Sequence, residues 1–175
     1  MVNYRRVYQK GGTYFFTVTL KNRNADYLIR HIDALREAFA ETKQRRPFEI
    51  IAIVILPEHL HCIWTLPLGD DDYKGRWRMI KSQFTRALKQ TDISIQKNKR
   101  GEYNLWQPRY WEHVIRDETD LLRHIEYIYF NPVKHGWAKS VGEWPFSSFH
   151  RDVSLGKIEV GWGKAMSEDE GNYGE

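Results

Sequence analysis

The run "IIAIVILPEHLHCIWTLP", Ile50 to Pro67, decides the fold. Two β-branched and aromatic segments flank Pro57-Glu58, a turn signal, so a hairpin is predicted with Phe48–Leu56 against Leu60–Leu66. Strand side chains alternate between faces, and residues two apart share a face at a spacing of roughly 6.5–7 Å. His59 and His61 therefore point the same way, while Leu60 points into the core on the other side. Two imidazoles so placed can ligate one divalent cation. Ordinary half-buried strands also contain His-hydrophobic-His triplets, so the triplet alone does not settle the matter.

A second element lies about 65 residues downstream, in "DETDLLRHIEYIYFNPVKHG", Asp117 to Gly136. At the helical spacing of about 100° per residue, Leu121, Leu122, Ile125, Ile128 and Tyr129 gather into an apolar arc. His124, Tyr127 and Asn131 fall together on the opposite, polar side, with Tyr127 and Asn131 stacked four residues apart. Pro132 disfavours helical geometry at the residue before it, so the helix is expected to end near Asn131. Taken alone, the segment also fits a rim tyrosine beside an Asn cap. Paired with the histidines, it reads as a nucleophile beside a metal site.

The remaining elements follow from the same periodicities. Thr13–Leu20, "TYFFTVTL", reads as a strand. Asn24 or Asp26 caps a helix running to about Lys43, and Asp70-Asp71-Asp72 opens another that reaches about Leu88. Thr91–Glu102 is polar and reads as a surface insertion, and Tyr110–Ile115 as a further strand. The order β-α-β-β-α-β-α predicts an α+β fold: an antiparallel sheet flanked by helices, ferredoxin-like or RRM-like. The histidine strand is then central, with the tyrosine helix packed near it. Residues 1–152 form the expected domain, and 153–175, Gly-rich and acidic, an expected flexible tail.

The motifs "LPEHLHCIWTLP", "WQPRYWEHVIRDE", "YIYFNPVKHG" and "WPFSSFH" resemble those of the REP-associated tyrosine transposases of bacteria, within the HUH class of single-tyrosine nucleases. The likeness runs from about Tyr4 to about Asp152. It implies that His59 and His61 are the metal-binding pair and that Tyr127 is the nucleophile. Asn131 takes the place where relatives carry a third ligand, often Gln, and is shorter by one methylene. It further implies a cytoplasmic, nucleoid-associated bacterial protein, monomeric rather than dimeric. Its substrates would be repeated extragenic palindromes folded as hairpins, nicked beside the stem.

The residues support that chemistry on their own terms. A tyrosine hydroxyl, with an unperturbed pKa near 10, attacks a phosphodiester only with help from a Lewis acid. Two imidazoles and an amide oxygen suit Mg²⁺ or Mn²⁺, the latter binding at least as tightly. The products are a 5′-phosphotyrosine and a free 3′-hydroxyl. No Gly-rich phosphate loop is present, so no nucleotide cofactor is expected.

Composition sets the bounds. The chain has 175 residues, 41% of them hydrophobic, enough for one domain with a real core. Its single cysteine, Cys62, excludes an intramolecular disulfide. No apolar run is long enough for a membrane span. The net charge is +4, and residues 1–167 carry 27 basic against 19 acidic side chains, or +8. A basic body interleaved with rings, as at Arg76, Trp77, Arg78, Lys81 and Phe84, suits an anionic partner with unpaired bases. The candidate DNA contacts are Arg5, Arg6, Arg76, Arg78, Lys81, Arg109, Lys134 and His135. Glu58 and His124 are candidates for the shell behind the metal and the tyrosine, and His113 reads as packing.

Two rival readings remain. A replication initiator or relaxase uses the same site, commonly with a second tyrosine. Tyr129, however, lies about 200° round the helix from Tyr127. A non-catalytic nucleic-acid-binding module would have no use for His59, His61 and Tyr127 in register.

Overall fold

The computed structural model describes residues 6–163 and 173–174. Strand β1 (Thr13–Thr19) is made of aromatic and β-branched residues and buries nearly every side chain, because core lies on both of its faces. The expected hairpin is present as β2 (Glu49–Ile55) and β3 (His59–Thr65). Its turn is closed by Leu56 N–H donating to the His59 carbonyl at 2.9 Å. With β4 (Trp111–Val114) the four strands form an antiparallel sheet in the order β2-β3-β1-β4. The histidine strand is therefore central, as its hydrophobic flanks require.

Helices cover both faces. The expected first helix is split by His31 into α1 (Tyr27–Arg30) and α2 (Ile32–Arg45). The next, α3 (Tyr73–Leu88), starts where the Asp72 side chain accepts from Gly75 N–H. Alternate residues of the strands feed two cores. Tyr14, Phe16, Leu60, Cys62 and Trp64 pack with Trp77, Ile80 and Phe84 of α3. On the other face Phe15, Val54 and Ile63 pack with Tyr127, Ile128 and Tyr129 of α4 (Glu118–Lys134).

Two boundaries differ from expectation. Helix α4 does not stop at Asn131 but continues through Pro132 to Lys134. A proline removes one donor, yet the last turn is held by His135 N–H to Asn131 O at 3.0 Å and Trp137 N–H to Pro132 O at 2.8 Å. Gly136 ends it in the left-handed region at φ 73°.

The expected tail, in turn, begins inside helix α5 (Phe149–Ser154). Ile158, Trp162 and Tyr173 pack on the second core, so these residues are bound to the domain. Just before and within α5, the chain covers the outer edge of β2. Ile55 and Ser148 N–H donate to the Phe146 and Ile53 carbonyls, and Arg151 donates to those of Ile50 and Ile51. Residues 164–172 and 175 of the expected tail lie outside the described residues.

Candidate active site

Strand β3 presents His59 and His61 on the α4 side of the sheet, both buried, with ring centroids 4.9 Å apart and planes at 81°. The helix lies across them. His61 meets Tyr127 edge-on at 5.1 Å, and His59 meets His135 at 5.3 Å. Tyr127, Asn131 and His135 are spaced at four residues and share one helix face. Contacts at both ends therefore place Asn131, wholly buried, between them. The polar side of α4 is thus buried, and so are Ile128 and Tyr129 of the expected apolar arc, of which Leu122 alone is exposed, at 52%. The helix is thus covered on both sides, because the sheet surface that receives it carries His59 and His61 beside apolar Phe15, Val54 and Ile63.

Hydrogen bonds set the imidazole tautomers. His59 Nδ1 lies 2.8 Å from Glu58 Oε1, and an ionised carboxylate only accepts, so Nδ1 carries the proton. Burial tends to raise the Glu58 pKa. The hydrogen bond from His59, with the charge of Arg23 at 3.4 Å, outweighs it and holds the carboxyl below its usual range. Thr17 Oγ1 donates its one proton to the Tyr173 carbonyl at 2.5 Å, so it must accept from His61 Nδ1 at 2.8 Å. Each histidine then carries its lone pair on Nε2, the tautomer a ligating histidine needs. With the Asn131 carboxamide this donor set fits a divalent cation.

A second group of ligand atoms, from His113, Asp120 and His124, lies within 4.8 Å of one another. Asp120 Oδ2 accepts from His113 Nε2 at 2.8 Å and from Arg116 N–H at 3.0 Å. His124 Nδ1 donates to the Asp120 carbonyl at 2.7 Å. Burial works against the Asp120 carboxylate, but these donors hold its pKa below the usual range. The two imidazoles stack at 4.7 Å with planes 12° apart. His113 Nε2 and His124 Nδ1 both donate to Asp120, so in this arrangement neither of these nitrogens offers a lone pair to an ion. The group therefore acts as a brace between β4 and the start of α4. His124, buried, belongs to this brace, and its ring also meets Phe15 at 4.7 Å.

The other nearby tyrosine is committed elsewhere. Tyr129 is wholly buried and donates to Asp152 Oδ2 at 2.5 Å. Burial first, then that bond, drive its pKa far above the usual value. The Tyr127 ring instead has the Lys134 ammonium over it at 5.0 Å. On its other neighbours' side lies Tyr173, stacked at 3.6 Å with planes 13° apart.

The expected DNA contacts divide. Lys134 and His135 are exposed beside the site, and Arg78 and Arg109 are exposed elsewhere. Arg76 is a correction: it is 2% exposed, paired with Asp70 at 2.7 Å, and donates to the carbonyls of Arg46, Pro47 and Asp72. Those bonds use its guanidinium to close the start of α3. Arg6 is half-buried against Glu112 and Tyr110, and Lys81 is half-buried over Trp106 and Tyr110. Arg5 lies outside the described residues.

Sequence reasoning missed Thr17, Tyr173 and Asp120. Asp120 had a signal, since it precedes His124 by four residues on one helix face. Thr17 became visible only through the pairing Thr17↔His61. Tyr173 had no signal, being a lone ring among glycines and acids.

Residues 9–129 match the family described as "Transposase IS200 like". The chain is 54% identical over 162 residues to the REP-associated tyrosine transposase of Escherichia coli K12, spanning 93% of this chain and 91% of that one. It is 47% identical over 165 residues to a putative REP-associated tyrosine transposase of Haemophilus influenzae Rd, spanning 93% and 94%. Its fold superposes with a TM-score of 0.87, at 51% identity, on the solved structure of a REP-associated tyrosine transposase bound to a REP hairpin. That likeness covers 100% of this chain and 98% of the other.

Proposed function

Because this chain belongs to the IS200-like transposases, and among them to the REP-associated tyrosine transposases, we propose that it binds REP hairpins and cuts and rejoins single-stranded DNA beside them with Tyr127. The observation that carries this reading is the contact of His61 with Tyr127, 5.1 Å between ring centroids, with buried Asn131 one turn away. Nucleophile and candidate ligands thus meet on one surface.

Tyr127 Oη attacks the scissile phosphorus, the bond to the 3′ oxygen breaks, and that oxygen leaves as a hydroxyl after taking up a proton. The phosphate stays on the tyrosine as a 5′-phosphotyrosine, and attack by a 3′-hydroxyl reverses the step. Lys134, over the Tyr127 ring, supplies positive charge beside the reacting phosphate. His59, His61 and Asn131 would hold Mg²⁺ or Mn²⁺, which when bound supplies Lewis-acid stabilisation of the phosphate oxygens. Glu58 and Thr17 fix the two rings so that no reorientation is needed at the moment of reaction.

Such a DNA substrate places the protein in the bacterial cytoplasm, at the nucleoid. We take it to act as a monomer, a reading supported by the cover that Phe146–Arg151 lay over the β2 edge. Incubating the protein and Mn²⁺ with a 5′-flanked REP hairpin, labelled on either end, tests the reaction. A protein–DNA adduct that survives a denaturing gel is expected, and only its formation sustains an enzyme over a hairpin-binding module.

A further inference from the structure

Beyond Asn131, helix α4 runs out into Lys134-His135-Gly136-Trp137, four exposed residues in a row, with exposed Lys139 two positions further. His135 meets His59 at 5.3 Å between ring centroids, so this stretch starts beside the candidate metal site. Trp137 follows by two residues, which puts its Cα within about 7 Å of that of His135.

The backbone here is fixed. Trp137 N–H donates to the Pro132 carbonyl at 2.8 Å, and Gly136 turns the chain at φ 73°. Among the described residues the one ring beside the Trp137 indole is Trp144, at 6.3 Å with planes 46° apart. Trp144 is buried and anchored, its Nε1 donating to the Ile55 carbonyl at 2.9 Å. Trp137 itself stays 52% exposed. A ring of that size, steadied on one side and open on the other, leaves apolar surface for a partner.

Position singles it out. Among the described residues three Phe, Tyr or Trp rings are exposed: Tyr8, Tyr103 and Trp137. Tyr8 stacks on Tyr73 of α3 at 5.3 Å with Lys74 over it, and Tyr103 has Lys89 and Lys97 over it beside α3. Trp137 carries no cation over its ring among these residues, and its neighbour Trp144 belongs to the core that holds Tyr127. Lys134 and Lys139 flank it in sequence, and the Lys134 ammonium reaches the Tyr127 ring at 5.0 Å.

We propose that Trp137 is the platform on which one unpaired base of the DNA flank stacks while the scissile phosphate lies at Tyr127. Bases of a paired stem stack on one another, whereas an unpaired base offers a free face to an aromatic ring. The flanking lysines suit the phosphates of the same strand. Tyr127 contacts His61, and the Trp137 stretch contacts His59 through His135. The strand is then held at both ends of the histidine pair, which fixes the phosphodiester against sliding. The inference rests on the proposed function for the identity of the DNA, and on Trp137 for the path of its flank.

The test is equilibrium binding, read by fluorescence anisotropy in a Tyr127→Phe background so that no cleavage intervenes. The DNAs are a blunt REP hairpin, the same hairpin with its single-stranded flank, and flanked hairpins with one abasic position each. Trp137→Ala should weaken flanked-hairpin binding about five- to a hundredfold, the worth of one base stacked on a ring, and leave the blunt hairpin unmoved. Trp137→Phe should recover most of that loss. Trp137→Leu, which keeps apolar bulk against Trp144, should recover little, and it carries the test if Trp137→Ala does not fold. One abasic position in the flank should erase the difference between parent and variant, because the partner of the ring is then already gone. Additive losses at every abasic position, or equal losses on blunt and flanked hairpins, overturn the proposal. If the flank adds nothing to binding by the parent, the proposed substrate falls and this site with it. If the flank's gain persists in Trp137→Ala, this site alone falls.

Discussion

Tyr173 lies flat on Tyr127, its ring centroid 3.6 Å away. Its carbonyl accepts from Thr17, the same hydroxyl that accepts from His61. Gly174 fixes the approach: at φ 76° a Cβ there would fall 2.3 Å from the Trp111 Cβ. Tyr173 and Gly174 thus cover the proposed nucleophile and join the hydrogen-bond chain behind the candidate metal site. Removal of acidic residues 168–175 would therefore strip this contact as well as four negative charges.

Tyr173→Ala should speed adduct formation roughly two- to twelvefold, the factor matching the loss of an aromatic pair of about 0.5–1.5 kcal/mol. Gly174→Ala should act in the same direction without removing a ring, since strain and the Trp111 clash both oppose the covered state. Single-turnover rates measured on a labelled hairpin settle the point. Slower or unchanged rates in both variants would show that the cover does not hold the nucleophile back.

His59→Ala and His61→Ala should each suppress adduct formation by orders of magnitude, as should EDTA with the parent protein. Glu58→Gln is the more diagnostic change. It keeps the shape but weakens the bond that orients His59, so the Mn²⁺ needed for half-maximal rate should rise about ten- to a hundredfold. The rate at saturating Mn²⁺ should be largely restored. A Mn²⁺ titration that is unmoved by Glu58→Gln would detach Glu58 from the metal site.

Asp120 joins β4 to α4 through His113, Arg116 and His124. Its carboxyl is held below the ordinary range, so folding favours the charged form. The stability it supplies is present above the ordinary carboxylate pKa of about 3.9 and is lost as pH falls through the folded value. Asp120→Asn should cost about 1.5–3 kcal/mol at pH 7, and the gap to the parent should narrow below about pH 4. Urea melts at both pH values check this. A gap constant with pH would mean that charge plays no part in the brace.

The sheet was legible because its signals were local. The hairpin from Phe48 to Leu66, the alternation of His59 with His61, and Asp72 at the head of α3 all follow from neighbours in sequence. The reach of α4 past Pro132 was not, since later N–H groups of the chain satisfy the carbonyls. Arg76 shows the same limit for charge: its burial is decided by carbonyls of Arg46 and Pro47, about 30 residues away. In the site, the Tyr127–Asn131 spacing could be read from helix period alone. The cover by Tyr173 could not, because 46 residues separate two rings that touch.

The central claim is that Tyr127, held against His61, is the residue that becomes joined to DNA. Proteolysis of the covalent adduct, followed by mass spectrometry of the nucleotide-bearing peptide, tests it most directly. The account predicts a 5′-phosphonucleotide on Tyr127, and no adduct from Tyr127→Phe protein that still binds the hairpin. A nucleotide on Tyr129 or Tyr173, or an undiminished adduct from Tyr127→Phe, would contradict it.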